Sequence, residues 1–249
     1  LATWDDHDYG ENDAGREYPF KAESKEIFLD FWNEPENSER RTHPGVYHSV
    51  LLGPPGKCIQ VILLDTRTFR DHLLEAKGDP WKNDYRPNPS PDSTFLGEAQ
   101  WKWLEQQFQI PADIRLIASS TQFSHGYNGW ESWSNVPHER QRMLALIQFT
   151  RAEGVIFISG DVHWGELSRL EPPGGYPIYD LTSSGITQTW PSIEENGNRV
   201  GAAMRENNIG LINIDWNAKD PEIEFVLKDV KGKDVLSHTV KLSELGFKE

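Results

Sequence analysis

The order of short strands and helices is the feature that most constrains the fold of this chain. Seven β-branched or aromatic segments, each bounded by Gly, Pro, Asn or Asp, predict strands over 59–64, 114–118, 155–159, 177–181, 210–215, 222–227 and 235–241. Apolar spacing and terminal residues predict helices over 15–32, 97–108 and 136–152. Strands and helices mix in the middle of the chain, and strand follows strand after Gly210. This order predicts an α/β or α+β layered sandwich.

The chain is long enough to form a core without cross-links. Its 249 residues suit a single domain over 1–249, and no internal repeat divides it. Its only cysteine, Cys58, excludes an internal disulfide and a zinc site built from cysteines. The segment 73–95 contains four prolines and few aliphatic residues, which predicts a long surface loop or an inserted lid.

The charge balance limits the partners of the protein. The chain has 25 basic and 39 acidic residues, which gives a net charge of −14. Such a charge repels nucleic acids and anionic lipids, so we expect neither as a stable partner. Its longest apolar runs are too short to cross a bilayer, so no transmembrane segment is expected.

An acidic segment near the start of the chain is the first candidate site. Residues 3–13 contain four Asp, one Glu, one Asn and one His. Carboxylates crowded in this way repel each other unless a cation or water compensates them, and their oxygens suit hard cations. The alternative is a solvated acidic segment that binds nothing. The adjoining Trp4 and the imidazole of His7 favour a site.

A second candidate follows the apolar strand at 155–159, where the sequence continues Gly160-Asp161-Val162-His163. In an extended chain, Asp161 and His163 point to the same side and converge beyond the carboxyl end of the strand, where α/β sheets bind ligands. The alternative is that Asp161 caps a turn and His163 is a buried histidine with a structural role. For an isolated Asp-x-His pair this alternative is the stronger one.

Several other enzyme classes lack their motifs here. There is no Gly-x-Ser-x-Gly elbow and no Gly-x-Gly-x-x-Gly loop, which disfavours serine hydrolases and nicotinamide enzymes. Residues 53–58 partly match a phosphate-binding loop, but Leu51 and Cys58 stand where Gly and Ser or Thr belong. This stretch is better explained as a hairpin turn between strands at 46–52 and 59–64. Among histidines outside the motifs, His125 is the one to test.

Eight motifs occur in an order typical of a known family: WDDHDYGEND (4–13), LLDTRTFR (63–70), LGEAQWKWLEQQF (96–108), ASSTQF (118–123), ESW (131–133), PHERQRMLALI (137–147), SGDVHWGE (159–166) and LTSSGIT (181–187). On these motifs the chain resembles the alkaline phosphatase D family of metallophosphoesterases over nearly its full length. The resemblance implies a four-layer α/β/β/α sandwich with a metal cluster at one end of the paired sheets. It also implies hydrolysis of phosphate monoesters or diesters by a metal-activated water, and a secreted or periplasmic location.

The resemblance also implies roles for individual residues. Asp6 or Asn12 would supply a metal ligand, and Asp161 and His163 would be further ligands. His7 would lie beside the scissile phosphate as a leaving-group acid or charge stabiliser. Apart from the resemblance, Asp5 and Arg67 are expected to contact a small phosphate-ester substrate, Arg67 because a guanidinium matches phosphate, although a structural salt bridge is the stronger explanation for Arg67. The implied metals are iron and calcium.

One departure from the family pattern affects these expectations. The first metal motifs of the family, an Asp that bridges the metals and a Gly-Asp-x-x-Tyr element, precede WDDHD, whereas this chain starts three residues before it. We therefore expect the chain to be N-terminally incomplete and to lack the first strands of one sheet. The alternative function is a non-catalytic remnant of the fold that acts as a binding or scaffold protein. A second enzyme alternative is a phosphodiesterase acting on nucleotides or lipid headgroups.

Overall fold

The computed structural model describes residues 1–248 of the chain. Within this range there are four α-helices, α1 (Asp6–Tyr9), α2 (Lys21–Phe31), α3 (Gly97–Phe108) and α4 (Pro137–Thr150). The strands are β1 (His48–Leu52), β2 (Ile59–Leu63), β3 (Leu74–Glu75), β4 (Tyr85–Arg86), β5 (Ile114–Ala118), β6 (Val155–Ser159), β7 (Gly165–Leu170), β8 (Ile178–Ser183), β9 (Arg199–Met204), β10 (Asn208–Asp215), β11 (Glu222–Asp229) and β12 (Asp234–Lys241). Short 3₁₀ helices cover Glu39–Arg41, Trp133–Asn135 and Leu242–Leu245.

A seven-stranded mixed sheet organises the molecule, in the order β1-β2-β5-β6-β8-β7-β9. Its four central strands β2, β5, β6 and β8 run parallel, and β1, β7 and β9 are antiparallel to their neighbours. Strands β10, β11 and β12 form a separate antiparallel meander, and β3 pairs with β4. The carboxyl ends of the parallel strands therefore lie along one edge of the large sheet.

Helices cover one face of the large sheet and the meander covers the other. The crossovers β2–α3–β5 and β5–α4–β6 step in the same direction, so the right-handed rule puts α3 and α4 on the same face, where they contact each other. On the other face the ring of Tyr179 from β8 stacks on Phe225 of β11 at 5.1 Å. This arrangement confirms the predicted α/β sandwich.

The resemblance implies four layers, and the described residues 1–248 form three of them. These are the helices, the large sheet and the three-stranded sheet. The outward positions of the small sheet are polar and solvent-accessible, as at Asn213 and Ser237, so no helix covers that face in the described part of the chain. A single domain over residues 1–249 stays a prediction.

Most elements agree with the sequence patterns, and the differences have physical causes. The 53–58 hairpin is present, because Leu52 pairs with Ile59 across an antiparallel ladder. The predicted helix 15–32 begins only at Lys21, since Pro19 disfavours helical backbone at the preceding residue. Strands β7 and β9 have weakly apolar sequences that predict no strand, and their neighbours in the sheet decide their conformation.

The proline-rich segment 73–95 is a surface loop that contains the short β3–β4 hairpin. Tyr85 of β4 reaches the cavity described below, and the phenol of Tyr127 donates a hydrogen bond to the Tyr85 carbonyl at 2.6 Å. The loop is thus held at the side of the cavity by hydrogen bonds to residues outside it.

Candidate metal centre

A small hydrophobic cluster holds the acidic segment against the body of the protein. Trp4 and Tyr9 are buried, and their rings meet edge to face at 5.0 Å. Trp4 also packs on Phe28 of α2, and the Tyr9 phenol donates a hydrogen bond to the Gly15 carbonyl at 2.9 Å. Helix α1 starts at Asp6, so its carboxylates lie at a fixed position between two anchored aromatic residues.

The Asp161–His163 segment does not have the extended backbone that the sequence analysis assumed. Asp161 has φ of 69° and His163 has φ of 61°, both in the left-handed region that costs a non-glycine residue about 1 kcal/mol or more. The chain leaves β6 at once and turns, with the Gly160 amide donating to the Ser120 carbonyl at 2.9 Å. The His163 amide donates to Ser184 Oγ at 3.1 Å, which holds the turn. Strain of this kind is typical of functional sites.

One cavity of about 570 Å³ brings the two predicted segments together. Six of the seven residues that the sequence singled out line it: Asp5, Asp6, His7, Asn12, Asp161 and His163. The cavity lies where loops after parallel strands meet, because its lining residues Glu131 and Asp161 follow β5 and β6. This edge is the usual position for a ligand in an α/β sheet.

Two overlapping groups of carboxylates in this region have the spacing of a cation site. One oxygen each from Asp5, Glu131 and Asp161 lie within 4.8 Å of one another, and so do oxygens of Asp6, Asp13 and Glu131. Glu131 belongs to both groups. These donors would suit a hard cation, and the shared carboxylate would suit two neighbouring ions.

Two buried guanidinium groups lie behind these carboxylates. Arg67 is fully buried and contacts Asp5 and Glu131, the latter at 2.5 Å. Arg70 pairs with Glu131 and donates to the Asp13 carbonyl at 2.5 Å. The substrate contact predicted for Arg67 has no support from this position, because carboxylates separate its guanidinium from the cavity. Its contacts are those of a group that aligns Asp5 and Glu131.

The negative charge of the cluster exceeds the charge of these two partners. Burial raises the pKa of Asp161 well above its usual value, and the neighbouring carboxylates of Asp5 and Glu131 raise it further. Burial and then Glu131 also raise the pKa of Asp13. The charge of the nearby carboxylates raises the pKa of Arg67, despite its burial. A bound cation would relieve this uncompensated charge.

Two further features of the cavity side chains fit a bound cation. His163 Nδ1 is buried and has no hydrogen-bond partner within the described residues. Both oxygens of Asp6 accept backbone hydrogen bonds, from the amides of His7 at 2.8 Å and Asp13 at 3.1 Å, which fixes the orientation of that carboxylate. Oriented carboxylates suit calcium or manganese, and an unpartnered imidazole in the same cavity suits iron.

The remaining predicted residues lie at the accessible side of the cavity. The imidazole of His7 is exposed at the cavity wall, within 3.7 Å of Asp6 Oδ2. Asn12 is also exposed, and it lines the cavity without belonging to either carboxylate group. The next residue, Asp13, belongs to one of them and accepts a hydrogen bond from the Tyr85 phenol at 2.6 Å.

Sequence reasoning did not select Asp13, Glu131 or Tyr85. Asp13 was within the acidic segment, and Glu131 was within the ESW motif, so both had a sequence signal. Tyr85 had none, because only the path of the 73–95 loop brings it to Asp13. His125 lies outside the cavity lining and is fully buried, and burial lowers its pKa to about 4.

The sequence matches a known family model and a curated protein. The family model for PhoD-like phosphatases matches residues 1–215. Alkaline phosphatase D of Bacillus subtilis is 26% identical over 253 aligned positions, which cover 93% of this chain and 41% of that protein. The chain therefore spans less than half the length of this curated relative.

Two solved structures share the fold. The structure of PhoD matches with a TM-score of 0.64 and 19% identity, covering 96% of this chain and 55% of that one. GAP50, described as the anchor in the inner membrane complex of Plasmodium, matches with a TM-score of 0.51 and 13% identity over 82% of this chain and 54% of that one. At these identities the likeness concerns the fold alone. Among the described residues, no helix combines the length and the apolar character that a membrane span requires.

Proposed function

The chain belongs to the PhoD-like phosphatase family, and from that premise we propose that it hydrolyses phosphate monoesters or diesters with the help of bound metal ions. The observation that carries the proposal is the single cavity lined by Asp5, Asp6, Asp161 and His163, which come from opposite halves of the sequence. Had these two segments lain on different sides of the molecule, the hydrolase proposal would have had no site.

Carboxylates and one imidazole would hold the cations. We assign this role to Asp161 and His163 from the turn after β6, to Asp6 and Asp13 from the acidic segment, and to the shared Glu131. Asn12 stays a predicted ligand. When bound, such ions would neutralise charge on the phosphate and activate a water molecule. The oxygen-rich donors favour calcium, and His163 makes iron the second candidate that the family resemblance implies.

The residues of the chain would perform the remaining tasks of the reaction. The exposed imidazole of His7 would donate a proton to the leaving alcohol oxygen as the phosphorus–oxygen bond breaks. Asp5 would contact the substrate from the cavity wall, and its ion pair with Arg67 would limit the rotation of its carboxylate. Arg67 and Arg70 would keep Glu131 in place through their ion pairs. A serine nucleophile is not required.

A non-catalytic scaffold is the second candidate function. It is favoured by the ion pairs of Arg67, which neutralise part of the cluster without any metal. A secreted or periplasmic location stays a prediction from the resemblance.

Activity and metal binding of the same protein separate the two functions. The 249-residue chain is assayed with 4-nitrophenyl phosphate and bis(4-nitrophenyl) phosphate after loading with calcium and iron, and its thermal unfolding is followed with and without the ions. We expect hydrolysis and a metal-dependent rise in Tm, because ions that bind only the folded state stabilise it.

Charge-matched variants test the position of the site. Asp161→Asn should abolish both the hydrolysis and the Tm rise. Asp84→Asn removes the same charge from the wall of the same cavity but outside the carboxylate groups, and it should retain both. A metal-dependent Tm rise without hydrolysis would favour the scaffold, and equal losses in the two variants would contradict the assigned site.

A further inference from the structure

The cavity has a second side whose chemistry differs from that of the carboxylates. Trp130, Trp164, Ile186 and Trp190 line it together with Val162. This aromatic flank begins next to the candidate ligand His163, whose ring lies 6.1 Å from the ring of Trp190 at an interplanar angle of 72°. The metal-binding donors and the aromatic surface are therefore neighbours in one space.

The two outer residues of the flank expose much of their apolar surface. Trp190 is 38% exposed and Ile186 is 72% exposed, although both line a cavity. The rings of Trp130 and Trp190 meet at 5.9 Å with an angle of 74°, so two indole groups form a corner. Large apolar surface that lines a cavity is typical of ligand contact.

Hydrogen bonds hold the segment that carries Ile186 and Trp190. It connects β8 to β9, and the Trp190 amide donates to the His163 carbonyl at 3.2 Å. At the start of the segment, Asn207 Nδ2 donates to the Gly185 carbonyl at 2.9 Å. Near its end, Glu194 pairs with Lys82 at 2.6 Å. The flank is thus fixed relative to His163 before any ligand arrives.

The charges of the cavity limit what the flank can accept. Seven carboxylate residues and neither lysine nor arginine line the cavity in the described part of the chain. The ions assigned above offset this charge close to the phosphate, but a second anionic group farther out would meet no cation in the lining. An uncharged group attached to the phosphate has no such penalty. The accessible parts of Trp190 and Trp130 offer it a flat, polarisable surface.

We propose that Trp190, with Trp130 and Ile186, forms a subsite for an uncharged planar aromatic group esterified to the phosphate, and that it selects aryl phosphodiesters over alkyl phosphodiesters. This inference rests on the proposed function, because it assumes that the phosphate lies at the carboxylate groups. A diester carries one negative charge less than a fully ionised monoester, and its second ester group occupies the corner of the two indoles. Trp190 is the specificity-determining residue, since it contacts both Trp130 and His163.

Two diesters with the same leaving group test this subsite. Bis(4-nitrophenyl) phosphate and methyl 4-nitrophenyl phosphate both release 4-nitrophenol and carry one negative charge, but they differ in the group that remains. In Trp190→Ala we expect kcat/KM to fall about tenfold for the aryl diester and less than twofold for the methyl diester, as the loss of one aromatic contact implies. Trp190→Phe should restore most of the preference, because it keeps a ring at this position.

A matched control separates the subsite from a general effect on structure. Trp32→Ala removes a tryptophan that is 49% exposed at the C-terminal end of helix α2 and does not line the cavity, so it should leave the ratio of the two kcat/KM values unchanged. Equal losses for both diesters in Trp190→Ala, or an unchanged ratio, would overturn the proposal. Comparing ratios between variants cancels the intrinsic reactivity of the two esters.

The binding of phosphonates separates this proposal from the proposed hydrolysis. Phenylphosphonate and methylphosphonate are titrated calorimetrically into the calcium-loaded and the iron-loaded protein. Tighter binding of phenylphosphonate, by about fivefold or more and lost in Trp190→Ala, supports the subsite even if no ester is hydrolysed. Equal affinities of the two phosphonates, or binding of neither, would overturn it.

Discussion

Two acidic regions of this molecule differ in how their negative charge is compensated. The first, the buried network, contains Asp180 of β8 and Glu166 of β7. Asp180 accepts hydrogen bonds from the amides of Phe123 at 2.7 Å and Ser124 at 2.9 Å and from Ser159 Oγ at 2.7 Å. In the carboxylate groups of the cavity, Asp161 accepts none within the described residues, and only part of the charge around it is paired.

Glu166 shows the same contrast with Glu131. Glu166 is fully buried and accepts from Gln122, Trp164 and Arg199, with Arg199 Nε at 2.6 Å. Glu131 is also buried, but the two arginines that pair with it leave the adjacent carboxylates in excess. Burial alone therefore does not mark a cation site. The distinguishing property is whether the chain itself supplies enough donors for each carboxylate.

The largest expected difference between the regions is in activity. We expect Asp161→Asn to lower phosphatase activity about 1,000-fold or more, because it removes a charged candidate metal ligand from the site. Unfolding of the metal-free variant should be unchanged or occur at a higher Tm, since one repelling charge is gone. Asp180→Ala should do the reverse: its free energy of unfolding falls by about 2 kcal/mol because two buried amides lose their acceptor, and activity falls much less.

Kinetic assays and urea unfolding of both variants measure this reversal. If Asp161→Asn destabilised the metal-free protein as much as Asp180→Ala, the distinction between the two regions would be wrong.

The next largest effect concerns Arg67, the buried arginine that pairs with Asp5 and Glu131 behind the cavity. Arg67→Met leaves Asp5 and Glu131 without their shared partner, and we expect the free energy of unfolding to fall by about 3–5 kcal/mol. Saturating calcium should recover part of this loss. Arg169→Met, which breaks a partly exposed pair with Glu171, should cost less than about 1 kcal/mol. Similar losses in both variants would argue against a structural role for the buried guanidinium.

The third and smallest effect is a pH dependence within the buried network. Burial lowers the pKa of His125 to about 4, beside Glu166 at 3.8 Å, whereas an unfolded histidine titrates near 6.5. Between these values the unfolded chain binds the proton and the folded chain does not. The stabilising contribution is therefore complete above pH 6.5 and is lost as the pH falls toward 4, by up to about 3 kcal/mol.

Urea unfolding of the wild type and His125→Gln at several pH values measures this contribution. The difference in free energy of unfolding between them should shrink as the pH falls from 6.5 to 4, and taking the difference cancels the opposite titration of Asp180, whose pKa burial raises to about 6. Replacement of the exposed His72 by Gln should not change the slope. Parallel pH profiles for wild type and His125→Gln would show that His125 titrates normally.

Much of the large sheet could be predicted from local sequence. The strands at 114–118 and 155–159 have the predicted bounds, because short, largely apolar runs rich in Ile, Val, Leu and Phe favour strands buried on both faces. Strands β7 and β9 could not be predicted in this way. Their polar and glycine-containing segments become strands because β8 and β7 offer them a ladder.

The candidate site, like the large sheet, could be predicted from the sequence only in part. By itself the sequence determined which donors are available, because Asp161 and His163 directly follow a buried strand and the acidic residues are concentrated in 3–13. Only the tertiary structure decided that these donors share one cavity, that Glu131 joins both carboxylate groups, and that Arg67 faces carboxylates instead of solvent. The left-handed backbone at Asp161 and His163 was likewise set by the turn after β6. Residue type fixes what a side chain can bind, whereas the net charge around it depends on contacts between segments far apart in the chain.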